Sequence, residues 1–205
     1  DAECRAIIDR LVSQADFMSL FDSRRQLLKV GYNSRENVFD AACYDLMASE
    51  ALMTYIFCVG YGKIPAKSLA CLKKRFSAKK RCLYSWTGGA FEYLMPWLFV
   101  SFPRGSVAAI TAKNIVALQK KTVSEGIWGV SESQYRSVDD SGNYRYKAFG
   151  IADTAYSENA ETGPVAAYAS ILCMDFDRKA VLKNLSALCG KNMYGRFGFY
   201  EAYDG

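Results

Sequence analysis

Apolar residues recur at helical spacing in six stretches of this 205-residue chain, and this pattern constrains the fold more than any other feature. The six stretches are 2–15, 41–59, 88–100, 106–125, 163–174 and 178–188. Stripes of this kind become buried when helices pack against one another, commonly as antiparallel pairs. We therefore predict a mainly α fold in which paired helices form an α/α array.

The segments between these helices lack helical periodicity. Residues 17–32 contain two apolar runs around a charged turn, which predicts a β-hairpin followed by a loop at 31–37. The remaining segments are a connection at 64–86, an aromatic and polar stretch at 127–161 and a tail at 193–205. A loop as long as 127–161 is more often functional than not. We find no repeat or linker, so residues 1–205 are predicted to form a single domain.

The stretch 41–59 has the clearest helical pattern, and Asp40 is its predicted N-cap. Leu46 and Met53 lie on its apolar stripe, and Glu50 falls on the same stripe. A carboxylate on the packed side of a helix is unfavourable unless it is paired, protonated or lines a cavity. Glu50 is therefore a candidate functional residue.

The chain contains no histidine. This excludes Ser-His and Cys-His nucleophile pairs, histidine-ligated zinc and histidine acid–base chemistry. The seven cysteines are odd in number and form no C-x-x-C motif, which predicts reduced thiols in a reducing compartment such as the cytoplasm. The longest apolar run, 94–100, is too short to cross a membrane, and no signal-peptide pattern begins the chain.

The net charge of +5 comes from one basic run, 73–81, which has six positive residues and no acidic one. Such a run can bind a phosphate backbone. A solvated loop or helix face is the commoner interpretation when no nucleic-acid-binding motif accompanies the run. We therefore predict no nucleic-acid partner and keep phosphate binding as an alternative.

Acidic residues in irregular or buried-looking contexts are the candidate catalytic groups. They are Asp40, Asp45, Glu50, Glu92, Glu132, Glu201 and Asp204, most of them beside aromatic residues. Sugar cleavage uses two carboxyl groups, and an apolar surrounding raises the pKa of the one that donates a proton. Each acid alone also fits a structural role, and Asp45 and Glu92 fit the first turn of a helix. Glu132 is harder to explain in that way because its segment lacks helical periodicity.

Several longer strings of the chain are similar to those of one known family. They are LKVGYN at 28–33, YDLMASEA at 44–51, WTG at 86–88, FEYLMP at 91–96, WGVSES at 128–133, YRYKAFG at 144–150, PVAAYA at 164–169 and GFYEA at 198–202. In this order they resemble the glycoamylase-like domain of cyclic β-1,2-glucan synthases and related glucoamylase-like proteins. The resemblance extends from about residue 17 to the last residue.

This resemblance implies an (α/α)6-barrel of the glycoside-hydrolase type. It also implies hydrolysis or transglycosylation of β-1,2-glucan by carboxylates, without a metal or cofactor. Glu132 corresponds to the acid/base carboxylate and Glu50 to its partner, with Asp45 and Glu92 as alternates. The residues expected to line the sugar cleft are Trp86, Trp128, Tyr135, Arg145 and Tyr146. The separation of the two carboxyl groups distinguishes retaining from inverting enzymes, and the sequence leaves both open.

A complete (α/α)6-barrel has twelve helices, whereas the pattern here predicts six. The resemblance therefore implies that the chain is part of a longer protein, or that another copy of the chain covers its apolar faces. The chain differs from the family's usual pattern at Ala90 and in the basic run, and both differences bear on the shape of the sugar subsites. Two other functions stay open, a non-catalytic carbohydrate-binding relative and a nucleic-acid binder that uses the basic run.

Overall fold

The protein is described by a computed structural model that covers residues 2–205 and divides into two units. The first unit comprises the chain up to Met47 together with Ala51–Lys73, and the second comprises Ala48–Glu50 together with Lys74–Gly205. The prediction of a mainly α chain is confirmed, because the longest elements are helices and the strands form only short antiparallel pairs. Across residues 2–205, the helices are all too short or too polar to span a bilayer.

From residue 2 onward, the first unit contains three α-helices and two strand pairs. They are α1 (Ala2–Gln14), β1 (Phe21–Asp22) with β2 (Leu27–Leu28), β3 (Tyr32–Asn33) with β4 (Val38–Phe39), α2 (Leu52–Gly60) and α3 (Lys67–Cys71). The helix predicted at 2–15 and the hairpin predicted within 17–32 are both confirmed. The loop predicted at 31–37 is correct only at 34–37, which form the turn of a second hairpin between β3 and β4.

The predicted helix at 41–59 is correct only in its second half, because α2 begins at Leu52. Before that point the backbone bonds to other parts of the first unit; the amide of Tyr44, for example, donates to a carbonyl of β2 at 2.9 Å. Backbone groups used in this way cannot form the i to i−4 bonds of a helix. Asp40 is therefore not a helix cap, and Glu50 lies before the helix rather than on its apolar stripe.

The second unit contains four α-helices and five strand pairs. The pairs are β5 (Phe76–Ser77) with β6 (Cys82–Leu83), β7 (Val123–Ser124) with β8 (Ile127–Trp128), β9 (Ser133–Val138) with β10 (Tyr144–Lys147), β11 (Val165–Ala166) with β14 (Ala202–Tyr203), and β12 (Tyr194–Gly195) with β13 (Gly198–Phe199). The helices are α4 (Ala90–Leu94), α5 (Val107–Gln119), α6 (Ala167–Ile171) and α7 (Arg178–Gly190).

The helices of the second unit lie where the sequence predicts them, but three are shorter. The α-helix expected at 88–100 ends at Leu94 and continues as a 3-10 turn that contains Pro96, which has no amide hydrogen to donate. The helices expected at 106–125 and 163–174 correspond to α5 and α6. Strand pairs occupy parts of the segments predicted as irregular, namely 64–86, 127–161 and the tail 193–205.

The apolar core of the second unit lies between α7 and the short strands. Ile127, Val165, Ala167, Leu188 and Met193 form a buried cluster. Helix α5 buries the face that contains Thr111, Ala112, Ile115, Val116 and Gln119. The buried faces of α5 and α7 each include one amide side chain, and both amides contribute to the candidate site.

Candidate active site

Three glutamates form the acidic centre of the second unit. Burial is the main reason why the pKa of Glu50 is raised, and the negative charges of Glu92 and Glu132 raise it further. A hydrogen bond from the hydroxyl of Ser49 to the Glu50 carboxylate, at 3.1 Å, acts in the opposite direction. Because the charges of Glu92 and Glu132 act on Glu50, the three carboxylates occupy a common region, although they are about 40 residues apart in sequence.

Replacing Glu50 with Gln is expected to raise the melting temperature at pH 7 by roughly 2–4 °C. The folded state disfavours the charged form of Glu50, so the ionised carboxylate reduces stability at neutral pH. This effect decreases as the pH falls below the raised pKa of the folded state, and it is absent below the ordinary pKa of a glutamate, where the wild-type carboxyl is neutral in both states. Thermal denaturation at pH 7.5 and pH 4 should therefore show a stability gain for Glu50→Gln that is lost at the lower pH.

Glu125→Gln is the matched control for this experiment. Hydrogen bonds from Lys191 and Tyr203 lower the pKa of the exposed Glu125, so its charged form is favoured by folding. The same change at this position should therefore bring no stability gain at pH 7.5. A melting temperature of Glu50→Gln below that of the wild type at pH 7.5 would contradict the inferred cost of burying the Glu50 charge.

Glu92 is surrounded by hydrogen-bond donors. Its Oε2 accepts from Ser85 Oγ at 2.9 Å, from Thr87 Oγ1 at 2.8 Å and from the amide of Gly89 at 2.9 Å, and the amide of Thr87 donates to Oε1 at 3.0 Å. The glutamate is the third residue of α4, so its carboxylate reaches back to satisfy free amides before the helix. These hydrogen bonds fix the turn at 85–89. They also occupy most of the acceptor positions of the carboxylate, so few remain for catalysis.

The segment that carries Glu132 is held by two buried amide side chains. Gln119 accepts from the amide of Val130 at 2.7 Å and donates to its carbonyl at 2.8 Å. Asn184 does the same for Trp128, with distances of 3.0 and 2.7 Å. Helix α5 therefore clamps the backbone of Val130, and helix α7 clamps the backbone of Trp128, two residues earlier in the chain.

Helices α4 and α6 complete the support of this segment. Near the start of α4, the amide of Ala90 donates to Val130 O at 3.1 Å, and the amide of Phe91 donates to the buried Ser131 Oγ at 3.0 Å. From α6, the hydroxyl of Tyr168 donates to the carbonyl oxygen of Glu132 at 2.7 Å. The backbone of 128–132 is thus tied to all four helices of the second unit, which fixes the position of Glu132.

The Tyr146 hydroxyl lies near the Glu132 carboxylate. Desolvation and a hydrogen bond to the Glu132 carboxylate both raise the pKa of the Tyr146 hydroxyl, although 57 % of the residue surface is exposed. Burial is the main reason why the pKa of the Tyr168 hydroxyl is raised, and the charges of Glu132 and Glu201 raise it further. Both tyrosines therefore lie near Glu132 and near a further carboxylate, Glu201, which accepts from the amide of Gln134 at 3.3 Å.

Two glycine-containing segments pack backbone against backbone beside Glu92. A Cβ atom on Gly150 would lie 2.0 Å from Thr87 O, and one on Gly88 would lie 2.4 Å from Ile151 O. The amide of Ile151 donates to Gly88 O at 3.0 Å. Gly88 also has a φ of +81°, which glycine adopts without strain. This close contact joins the turn at 85–89 to the chain that follows β10.

Comparison with known proteins shows which family the chain belongs to. The family model described as "Putative glucoamylase" (Glycoamylase) matches residues 43–205, which include all three glutamates. The chain belongs to this family. It is 33% identical to the cyclic β-(1,2)-glucan synthase NdvB of Rhizobium meliloti (strain 1021) over 195 residues, which are 92% of this chain and 7% of that protein.

Solved structures share the fold at lower identity. An endo-β-1,2-glucanase from Chitinophaga pinensis, in complex with sophorotriose and glucose, matches with a TM-score of 0.68 and 16% identity, over 97% of this chain and 52% of that one. The "putative glucoamylase" from Bacteroides fragilis NCTC 9343 has a TM-score of 0.61 and 15% identity, over 96% of this chain and 51% of that one. The chain therefore spans about half the length of these two relatives.

The residues expected from the family resemblance to line the sugar cleft differ from one another in exposure and in contacts. Trp86 is 57 % exposed, whereas Trp128 is only 7 % exposed and its backbone is held by Asn184. Tyr135 is half-buried, and its ring meets that of Phe149 edge-on at 5.5 Å. Arg145 is exposed beside Tyr146 on β10, and its Nε donates to the carbonyl of Val138 at 3.2 Å.

The alternate carboxylates differ from Glu132 in their partners. Asp45 belongs to the first unit, where it forms an ion pair with Lys73 at 2.7 Å. Asp45 also accepts the amide of Lys73 on its carbonyl at 2.6 Å. Asp45 and Glu92 are thus both bound by nearby donors in a way that serves local structure.

Sequence reasoning missed the residues that hold the site together. Gln119 and Asn184 look like polar interruptions in two apolar helix faces, since Ile115 precedes Gln119 by four residues and Leu188 follows Asn184 by four. An amide side chain on an apolar helix face could have indicated this role, because a buried amide must find hydrogen-bond partners. Which backbone groups it binds becomes clear only from the fold.

Proposed function

We propose that this chain carries the catalytic carboxylates of a glycoside hydrolase or transglycosylase that acts on β-1,2-glucan. The observation that carries the proposal is the acidic centre, in which the rigidly held Glu132 lies close enough to Glu50 to affect its ionisation. Family membership supports it, as do a relative named as a β-(1,2)-glucan synthase and a shared fold with an endo-β-1,2-glucanase.

In the proposed mechanism, Glu132 protonates the glycosidic oxygen that leaves. Glu50 then attacks the anomeric carbon or activates the water that does so. Tyr146 orients the Glu132 carboxylate through its hydroxyl. Glu92 acts as a fixed anion that holds the turn at 85–89 and disfavours a second negative charge on Glu50.

The raised pKa of Glu50 also suits a proton donor. An experiment is therefore needed to decide which of Glu50 and Glu132 is the acid and which is the nucleophile or base. A substrate with a good leaving group, such as a nitrophenyl glycoside of a β-1,2-linked glucose dimer, needs little acid assistance. With Glu132 as the acid, Glu132→Gln regains activity on this substrate and Glu50→Gln does not. The opposite pattern would exchange the roles and leave the two-carboxylate mechanism intact.

Sugar binding is assigned to the exposed and half-exposed residues near this centre. Trp86, Tyr135, Arg145 and Tyr146 have accessible surface for contact with a pyranose, whereas Trp128 supports the segment from inside. Asp45 is assigned a structural role through Lys73. We further propose that 1–205 form one glycoamylase-like domain within a longer (α/α)6-barrel protein, because the solved relatives are about twice as long.

The proposal is tested by incubating the purified chain with linear β-1,2-glucan. We expect either new reducing ends or cyclic products that lack them, measured by a reducing-sugar assay and by mass spectrometry. Linear β-1,3-glucan is the control substrate and should remain unchanged. Saturable binding of β-1,2-glucan without either product would instead identify a non-catalytic carbohydrate-binding relative.

A further inference from the structure

Strand β14 is flanked by two acidic residues that the proposed mechanism does not use, Glu201 and Asp204. The strand itself pairs with β11, in which the amide of Ala166 donates to the carbonyl of Gly129 at 2.9 Å. One edge of β14 is therefore connected, through β11, to the start of the segment 128–132.

The two carboxylates bind the backbone of β9, the strand that begins directly after Glu132. Glu201 Oε1 accepts from the amide of Gln134 at 3.3 Å. Asp204 Oδ2 accepts from the amide of Arg136 at 3.0 Å. Amides two residues apart point to the same edge of a strand, so β10 pairs with the other edge. The carboxylates thus replace a neighbouring strand along the edge that β10 leaves open.

Strand β14 consequently holds the chain on both sides of Glu132. On the preceding side, the connection through β11 reaches Gly129. On the following side, Glu201 binds the amide of Gln134, two residues after Glu132. The hydroxyl of Tyr168 in turn binds the carbonyl oxygen of Glu132 itself. A shift of β9 relative to β14 would therefore displace Glu132.

Glu201 is also close to the side chains that surround Glu132. Burial is the main reason why the pKa values of the Tyr146 and Tyr168 hydroxyls are raised, and the charge of Glu201 contributes to both shifts. The Glu201 carboxylate is thus within electrostatic range of the two phenols next to Glu132. The contact that it makes with β9 is part of the surroundings of the proposed acid.

The two contacts with β9 differ in how well they are supported. Beside Asp204, the carbonyl of Gly205 accepts from the Arg136 guanidinium group at 3.1 Å, so this part of β9 has a further hydrogen bond to the tail. The contact of Glu201 is the nearer of the two to Glu132 in sequence. Loss of the acceptor at residue 201 should therefore affect Glu132 more than the same loss at residue 204.

Glu201 also lines an open groove, so a direct contact with the substrate has to be considered. The groove has a volume of about 510 Å³, and its wall includes Tyr135, Tyr144 and Tyr200. A contact with the bound sugar would stabilise the ground state and the transition state alike, and its loss would raise KM. Displacement of Glu132 would instead lower kcat, so kinetics distinguishes the two roles.

We propose that Glu201 is a positioning residue, which holds β9 through the amide of Gln134 and thereby keeps the Glu132 carboxylate in place for the reaction. This role requires a hydrogen-bond acceptor at residue 201 and no proton transfer to or from the substrate. The role rests on the proposed function, which assigns Glu132 as the acid. The contact between Glu201 and β9 does not depend on that assignment.

Substitution of Glu201 in the full chain tests the role by steady-state kinetics on linear β-1,2-glucan. Glu201→Leu removes the acceptor and should lower kcat about tenfold with KM retained, because a small displacement of a reacting group is costly. Glu201→Gln still offers a carbonyl oxygen to the amide of Gln134 and should keep kcat within about threefold of the wild-type value. Both variants lack the charge, so the difference between them reports the hydrogen bond.

Two further substitutions serve as comparisons. Asp204→Leu should lower kcat less than Glu201→Leu does, because Arg136 keeps its bond to Gly205. Asp140→Leu removes an exposed acidic residue from the turn between β9 and β10 and should leave kcat unchanged. Glu201 is itself exposed, so its replacement leaves the core intact. Glu201→Ala should behave as Glu201→Leu does, and it replaces the leucine variant if that variant does not fold.

Hydrogen exchange of the Gln134 amide, followed by NMR without substrate, tests the contact independently of activity. Exchange should be about three- to tenfold faster in Glu201→Leu than in Glu201→Gln, which corresponds to the net strength of one hydrogen bond. Equal exchange in the two variants would show that residue 201 does not hold β9.

The kinetic outcomes that would overturn the positioning role are equally specific. They are a wild-type kcat in Glu201→Leu, a loss that lies in KM, and a kcat of Glu201→Gln as low as that of Glu201→Leu. The last result would assign the effect to the charge or to proton transfer by Glu201. If the wild type forms no product while the exchange of Gln134 responds as expected, the proposed function fails and the contact between Glu201 and β9 stands.

Discussion

Replacing Glu132 with Gln is expected to lower kcat on β-1,2-glucan by about 10²–10⁴-fold, the usual contribution of a general acid. The amide has nearly the shape of the carboxyl group and can still accept the hydrogen bond from Tyr146, but it has no proton to transfer to the leaving oxygen. Because the geometry is kept, KM should change little and the loss should lie in kcat. Initial rates over a range of glucan concentrations measure both constants.

The exposed Glu125 again provides the matched control, since its side chain bonds to Lys191 and Tyr203 rather than to the acidic centre. Glu125→Gln should retain the wild-type kcat. If Glu132→Gln is as active as the wild type, Glu132 is not the acid. If Glu125→Gln loses activity to the same degree, a general effect of removing a surface charge explains the result better.

The helices of the second unit could be predicted because their patterns are local. In α7, Asp177 caps the first turn, and Val181 and Leu188 lie on the buried face, so sequence spacing alone identifies the element. The stretch 41–59 has an equally helical pattern, yet its first half consists of isolated bridges, bends and turns. There the backbone bonds to β2 and to Lys73, and no sequence pattern reports such distant pairings.

The candidate site could be predicted only in part, for a related reason. Glu132 was identifiable because a carboxylate in a segment without helical periodicity needs an explanation. The sequence placed Glu50 on the apolar stripe of a helix, where it does not lie. Its pKa is raised instead by burial and by the charges of the other two carboxylates. The role of Glu92 could not be predicted from the sequence, because an acid at the start of a helix fits both a cap and a catalyst until its donors are known.

The second large effect is expected at Gln119, where Gln119→Glu should lower the free energy of unfolding by about 3–5 kcal/mol at pH 8. Gln119 is fully buried, and a charged carboxylate there would face the carbonyl of Val130 without a donor to offer it. A protonated carboxyl group, in contrast, can donate to this carbonyl and accept from the Val130 amide as the glutamine does. Burial raises the pKa of the introduced group, so stability should be regained as the pH falls.

Urea unfolding at pH 8 and pH 5 measures this difference, and Gln14→Glu on the exposed helix α1 is the control that should show no comparable pH dependence. The same variant tests whether the clamp positions Glu132, two residues beyond Val130. At a temperature where Gln119→Glu remains folded, kcat per folded molecule should be reduced and KM retained. A clamp with a purely structural role would lower stability and leave kcat per folded molecule at the wild-type value. Equal stability loss at both pH values would contradict the reciprocal hydrogen bonds themselves.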